Sequence, residues 1–288
     1  MNLRQISPIL VAINLLAACG GGGTSTDTVP EMDPNSYQKL IANYGQYSIS
    51  VFIDTPDQNG PLDVLLIFHG TTLDDAVSIT QAESLLVRTK GILERKDLVL
   101  ISVAYKEENI LMGDDTKEAE AVLLWTKQFA AEELGIEIDK IYLMGHSRGG
   151  YLVTRLNTMH PTNGVISSAP GPINLVYRCR LEEQGTIQPG EVCNALNAAF
   201  GSTIENPVAY KERSLLNFAS QQQSKSLFVQ GLEDSQIQLN LFPQFIDKLN
   251  QCTDCATFQV VEITGAGHSA MFDTFEGIDA LNNFLRNN

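Results

Sequence analysis

The 288-residue chain is poor in positive charge and in histidine, and it has no long apolar run; each shortage excludes something. Its 19 Lys and Arg stand against 34 Asp and Glu, for a net charge of −15. Nucleic-acid binders cluster Lys and Arg on one face, so no nucleic-acid partner is expected, and polyanionic substrates are disfavoured. No segment approaches ~18 consecutive apolar residues, so no membrane-spanning helix is expected. Cysteines number only five. One pair, Cys252-Thr253-Asp254-Cys255, lies between a helical and a strand-like stretch with no second ligand pair, which argues against a zinc or redox site. No metal or organic cofactor is expected.

The first cysteine has a different setting. Arg4 gives a positive start, Ile9 to Leu16 is a short apolar run, and Leu16-Ala17-Ala18-Cys19 fits a bacterial lipoprotein signal. Cleavage before Cys19 would leave a lipidated first residue, followed by a Gly-, Ser- and Thr-rich tether from Gly20 to Thr28. The expected location is the cell envelope, with membrane contact through the N-terminal lipid. The other four cysteines suit an oxidising compartment. Of three possible connectivities, the simplest pairs Cys179 with Cys193 and Cys252 with Cys255.

Apolar runs of strand length alternate with helical stretches, which predicts a mainly parallel, doubly wound α/β sheet covered on both faces. Strands are expected at Tyr47–Ile53, Val64–His69, Leu98–Tyr105, Lys140–Gly145, Gly164–Ser168, Ser226–Gly231 and Phe258–Ile263. Helices are expected at Thr80–Glu94, Thr116–Leu134, Gly149–His160, Leu239–Asn250 and Phe272–Arg286. The segment Ala169 to Gln223 breaks the alternation and reads as a small cap. Its Arg178 and Arg180 read first as solvated surface residues, with contact to an acidic substrate group as the alternative.

Gly145-His146-Ser147-Arg148-Gly149 follows a buried-type strand and precedes a helix. This is the Gly-x-Ser-x-Gly elbow, which lifts a serine hydroxyl clear of a sheet and needs small residues on either side. A serine nucleophile needs a histidine base, and the base needs an acid to hold its tautomer. His146 is committed by the elbow, and His160 would lie roughly 20 Å up an unbroken helix. His69 precedes the serine. His268, in the loop Gly265-Ala266-Gly267-His268-Ser269 after a strand, is the expected base. The acid is expected on the loop after Ser226–Gly231: Asp234 first, Glu233 as the alternative. Backbone amides of Arg148 and of Thr71, in His69-Gly70-Thr71-Thr72, are the expected oxyanion donors.

In these pieces the chain resembles the α/β-hydrolase superfamily, in particular single-domain relatives of the prolyl oligopeptidase and dienelactone hydrolase groups. The matching pieces are Phe68-His69-Gly70, Gly145 to Gly150, Asn206 to Ser214, Gly231 to Asp234 and Gly265 to His268. The resemblance implies the order serine, acid, histidine, which sets His69 aside. Together with the N-terminal signal read above, this divides the chain into a signal at 1–18, Cys19 and tether over 19–45, and a hydrolase domain over 46–288 with its cap near 169–223. Two stretches depart from the peptidases. The oxyanion loop reads His-Gly-Thr-Thr rather than His-Gly-Gly-Pro, and Ala104 to Asn109 lacks their Arg-Gly-Ser-x-Gly-Tyr-Gly run.

The expected activity is hydrolysis of small carboxylic esters through an acyl-enzyme on Ser147. The alternative is an exopeptidase acting on short peptides with the same residues. A non-catalytic binding protein on this fold is the reading from a different class. Few residues separate Cys19 from the first expected strand, leaving no room there for the large accessory domain of prolyl oligopeptidase relatives. The sequence carries no signal of oligomeric state.

Overall fold

Strands that read as continuous apolar runs are those that end up with both faces covered. A computed structural model describes residues 37–72, 74–106 and 114–288. The proposed signal, Cys19 and the tether as far as residue 36 lie outside the described residues. Eight strands form one sheet: β1 (Gln38–Tyr44), β2 (Tyr47–Asp54), β3 (Pro61–Phe68), β4 (Leu98–Ala104), β5 (Glu137–His146), β6 (Gly164–Ser168), β7 (Ser226–Gly231) and β8 (Phe258–Ile263). Their order is β1-β2-β4-β3-β5-β6-β7-β8. β1 and β2 pair antiparallel, as do β2 and β4, and the other pairings are parallel. Every residue of β4, β6 and β7 is buried.

The two-residue period of β3 divides its side chains between two cores. Val64, Leu66 and Phe68 join Trp125 and Leu152 on one face. Leu65 and Ile67 join Leu86 and Leu281 on the other. The covering helices are α1 (Asp75–Ile92), α2 (Asp114–Gln128), α3 (Ala130–Leu134), α4 (Arg148–Leu156), α8 (Gln236–Asn250), α9 (Ala270–Asp273) and α10 (Phe275–Asn287). Between β6 and β7 the cap contributes α5 (Leu175–Glu183), α6 (Glu191–Phe200), α7 (Pro207–Lys211) and two short 3₁₀ turns. Among the described residues no helix is long and apolar enough to cross a membrane.

Several boundaries differ from the sequence expectation, each for a local reason. β1 occupies part of the expected tether and forms a hairpin with β2 around Gly45, whose φ of +58° suits the first position of a two-residue loop. Only Ala42 of β1 is buried, so the strand has little apolar alternation to betray it. α1 begins at Asp75 rather than Thr80, because the Asp74 carboxylate caps it by accepting from the Ala76 amide at 2.7 Å. The single helix expected at Thr116–Leu134 is two, α2 and α3, meeting at Phe129. α4 stops at Leu156, not His160. There the buried Asn157 amide donates to Gln222, Ser224 and Ser226, tying the chain to the end of the cap. α10 is separated from α9 at Thr274, whose hydroxyl caps it by accepting from the Gly277 amide.

Parallel strands end on the same side of a sheet, and the crevice beyond their carboxyl ends is where open α/β folds hold ligands. The loops after β3, β5, β7 and β8 carry Thr71, Ser147, Asp234 and His268.

Candidate active site

Ser147 sits on a strained turn. Its φ of 56° and ψ of −116° are rare for a residue with a Cβ, a conformation that costs about 1–3 kcal/mol and persists only where the surroundings enforce it. They do so with three backbone hydrogen bonds. The Ser147 amide donates to Ser168 O at 2.8 Å, and Ser147 O accepts from Tyr151 and Gly171 amides at 3.0 and 3.2 Å. The flanking glycines are steric requirements. A Cβ on Gly145 would lie 2.1 Å from Gly149 O, and one on Gly149 would lie 2.0 Å from Phe68 O.

Three of the expected residues come together from loops far apart in sequence. His268 Nε2 lies 2.9 Å from Ser147 Oγ, and His268 Nδ1 lies 2.7 Å from Asp234 Oδ2. With Nδ1–H donating to the carboxylate, Nε2 carries the lone pair that can accept the serine proton. The Asp234 side chain is 4% exposed. Burial pushes its pKa up, but hydrogen bonds from His268, Gln230 and the Ser235 amide outweigh this and hold the carboxyl below its ordinary range. Glu233, the alternative acid, is exposed, and its backbone amide donates to Ala266 O at 2.8 Å.

The acid has support the sequence reading missed. Gln230 Nε2 donates to Asp234 Oδ2 at 3.0 Å, and Gln238 Nε2 donates both to Gln230 Oε1 and to Pro170 O at 3.0 Å. A glutamine inside the otherwise apolar run Ser226–Gly231, four residues before the acid, was the available signal. Gln238 carries none, because its contact exists only after α8 packs.

The other histidines have separate places. His69 is buried, stacks on Tyr105 with ring centroids 4.2 Å apart, and receives the Tyr105 hydroxyl on its carbonyl at 2.6 Å. This holds the loop that brings Gly70 against the nucleophile: a Cβ on Gly70 would be 3.4 Å from that of Ser147. His160 pairs with Glu120 at 2.6 Å. The ring centroid of His146 is 4.9 Å from that of His268, and the two rings are tilted. Burial, with the neighbouring charges of His268 and Arg88, lowers the His146 pKa to about 4, so it stays neutral beside the expected base.

The side chain of Arg148, expected to contribute only its amide, is itself buried and paired. Its guanidinium is 2% exposed and pairs at 2.8 Å with Asp115 in the first turn of α2, itself 1% exposed. The residue after the nucleophile is thereby tied to a helix reached across the sheet sequence, a contact with no motif to announce it. Thr71 and Arg148 line one pocket with Ser147 and His268. The cap supplies Pro172, Ile173, Asn174, Arg178 and Val192 to the same pocket, and α8 supplies Ile237, Gln238 and Leu241. The volume is about 190 Å³, below the roughly 300–1,000 Å³ of sites for drug-sized ligands. No Asp or Glu is among the described residues that line it. Arg178, 35% exposed, is at the pocket, whereas Arg180 is exposed and does not line it. The structure pairs Cys179 with Cys193 and Cys252 with Cys255.

An α/β-hydrolase sheet carrying a strained serine elbow, with a hydrogen-bonded histidine and carboxylate at the strand ends, defines a serine hydrolase. The chain belongs to the prolyl oligopeptidase family, whose model matches residues 102–286. Solved structures share the fold at low identity. Est1E from Butyrivibrio proteoclasticus is 17% identical over 86% of this chain and 98% of its own, with a TM-score of 0.62. A Pyrobaculum calidifontis esterase is 14% identical over 90% of this chain and 86% of its own, with a TM-score of 0.65. The Pyrococcus horikoshii acylaminoacyl peptidase is 13% identical over 87% of this chain, with a TM-score of 0.63, and the chain spans 41% of its length. The chain spans 40% of another acylaminoacyl peptidase, solved with a chloromethyl ketone. No curated protein matches the chain.

Proposed function

We propose that the chain hydrolyses small carboxylic esters through an acyl-enzyme on Ser147, with His268 as base, Asp234 as its orienting acid and the Thr71 and Arg148 amides as oxyanion donors. The observation that carries the acyl-transfer chemistry is the continuous hydrogen-bonded line from Ser147 Oγ through His268 to Asp234, at 2.9 and 2.7 Å. As Oγ attacks the acyl carbon, its proton passes to Nε2, and the resulting imidazolium is stabilised by the Asp234 carboxylate. Collapse of the tetrahedral intermediate expels the alcohol, which takes that proton from Nε2. Water then attacks the acyl-enzyme by the same path.

The pocket's size supports a small ester substrate. The small volume suits a short acyl group. Exopeptidase action on short peptides is the second reading, favoured by the family match. Labelling by a fluorophosphonate in wild type but not in Ser147→Ala tests the nucleophile. Short-chain aryl esters should then turn over far faster than aminoacyl or dipeptidyl amides, and comparable kcat/KM on a matched ester and amide would favour the peptidase.

The same proposal places the enzyme at a bacterial cell envelope, held by lipid on Cys19, on the strength of Leu16-Ala17-Ala18-Cys19. Metabolic labelling with a fatty-acid analogue should tag wild type and not Cys19→Ser; an untagged wild type would remove the anchor and leave the chemistry untouched.

A further inference from the structure

The pocket runs against the charge of the molecule that contains it. The chain holds 34 Asp and Glu, yet none lines the pocket among the described residues, while the cap places Arg178 there. Arg178 belongs to α5 and is 35% exposed. Its Nε donates at 3.0 Å to Oε1 of Glu182, one turn along, whose side chain is only 4% exposed. The other Glu182 oxygen is occupied, accepting from the Gly190 amide at 2.8 Å. Gly190 packs so near that a Cβ there would lie 3.0 Å from Arg178 Nη2. A buried carboxylate and a backbone wall therefore fix the guanidinium plane.

The position is fixed again covalently. Arg178 directly precedes Cys179, and Val192, which also lines the pocket, directly precedes Cys193, the cysteine bonded to it. The disulfide clamps both cap residues at the mouth of one small cavity. The Nε–Glu182 contact uses one edge of the guanidinium, and the Nη groups carry further donors in a rigid fork that matches a carboxylate. The surrounding Pro172, Ile173, Ile237 and Leu241 provide apolar walls, which strengthen a charge-assisted hydrogen bond relative to water.

We propose that Arg178 is a specificity-determining residue that recognises a carboxylate on the substrate, so that the preferred substrates are short esters bearing an acidic group. This rests on the ester reading above and narrows it. The carboxylate can belong to the acyl part, as in a monoester of a short dicarboxylic acid, or to the alcohol part, as in an acylated hydroxy acid.

The test compares kcat/KM for aryl hydrogen succinate and hydrogen glutarate with that for neutral aryl esters of equal chain length. Acetyl glycolate and ethyl acetate form the alcohol-side pair. One pair should favour the acidic member by at least about tenfold, and which pair does so identifies the side that carries the charge. Arg178→Gln should reduce that acidic-to-neutral ratio about 10- to 100-fold, mainly through KM of the acidic ester, with Arg178→Lys intermediate. Equal kcat/KM on acidic and neutral members of both pairs in wild type would overturn the proposal. So would an Arg178→Gln variant that slows both members of the favoured pair alike. A readout independent of turnover and of any variant is protection of Ser147 from a fluorophosphonate by free glutarate but not by the neutral diamide. Protection without ester turnover would retain the anion subsite and reject the ester reading. Ester turnover with neither protection nor acidic preference would reject the subsite alone.

Discussion

The strand-end loops and the cap line the same pocket, but they are held by different means. The loops after β3, β5, β7 and β8 hang from strands of one hydrogen-bonded sheet, and glycines at 145 and 149 let the elbow touch β3 with no side chain between. Their geometry rests first on backbone, and buried side chains such as Asp115 and Gln230 add to it. The cap has short helices, and it keeps its place through side chains: the Arg178–Glu182 pair, the Cys179–Cys193 bond, and the Asn157 amide that ties α4 to Gln222, Ser224 and Ser226. The rigid half suits chemistry, where a displacement of an ångström is expensive. The half held by side chains suits substrate choice, which can change without disturbing the reacting atoms.

The sharpest way to break this division is at the loops. Ser147→Ala or His268→Ala should each lower kcat by roughly 10⁴- to 10⁶-fold, and the double variant should lose little more, because the residues act as a unit. Asp234→Asn should also be severe through the wrong histidine tautomer, whereas Glu233→Gln should be mild. Steady-state kinetics on one aryl ester checks all five, and a reversal of the last two would make Glu233 the acid.

Next comes the buried pair beneath the elbow. Asp115→Asn removes a carboxylate held 2.8 Å from the Arg148 guanidinium at a site 2% exposed, and breaking such a pair costs about 3–5 kcal/mol. Urea unfolding should show that loss, and a change under 1 kcal/mol would mean the pair does not hold the elbow.

The cap should respond in the opposite sense. Cys179→Ser with Cys193→Ser opens a loop of sequence separation 14, for which loop entropy gives a loss of about 3 kcal/mol. KM and acyl-chain preference should move more than kcat. A fall in kcat as large as the change in KM would show that the cap shapes the chemistry as well as the choice of substrate.

The smallest effect expected is at His146. Its pKa falls from an ordinary 6.5 to about 4 on folding, so the unfolded chain binds the extra proton between those values. This contribution to stability is fully present above pH 6.5 and is lost as pH falls toward 4, by about 2 kcal/mol between pH 7 and pH 5. In His146→Gln the drop in Tm over that window should be shallower than in wild type; parallel curves would place the acid sensitivity elsewhere.

The elbow, base and first-choice acid could be read from the sequence because each is a short local pattern: a strand, a glycine-rich turn and one residue of the right chemistry. The same held for the central strands, since β4, β6 and β7 are buried throughout and each carries a short run of apolar residues that needs no partner to be recognised. β1 was missed because an edge strand with one buried residue has no such pattern. The split between α9 and α10 at Thr274 was missed because a single cap overrides a continuing helical periodicity.

The sequence by itself determined the α/β class, the order of the site residues and the positions where only glycine fits, because these follow from local sterics and hydrophobic period. Only the tertiary structure decided that Asp115 holds Arg148, that Gln238 supports Gln230 and through it Asp234, and that Arg178 lines the pocket with Ser147 and His268. Each of those contacts joins side chains from separate elements. Their value comes from burial and from distances that exist only once the helices and the cap have packed, so no local pattern records them.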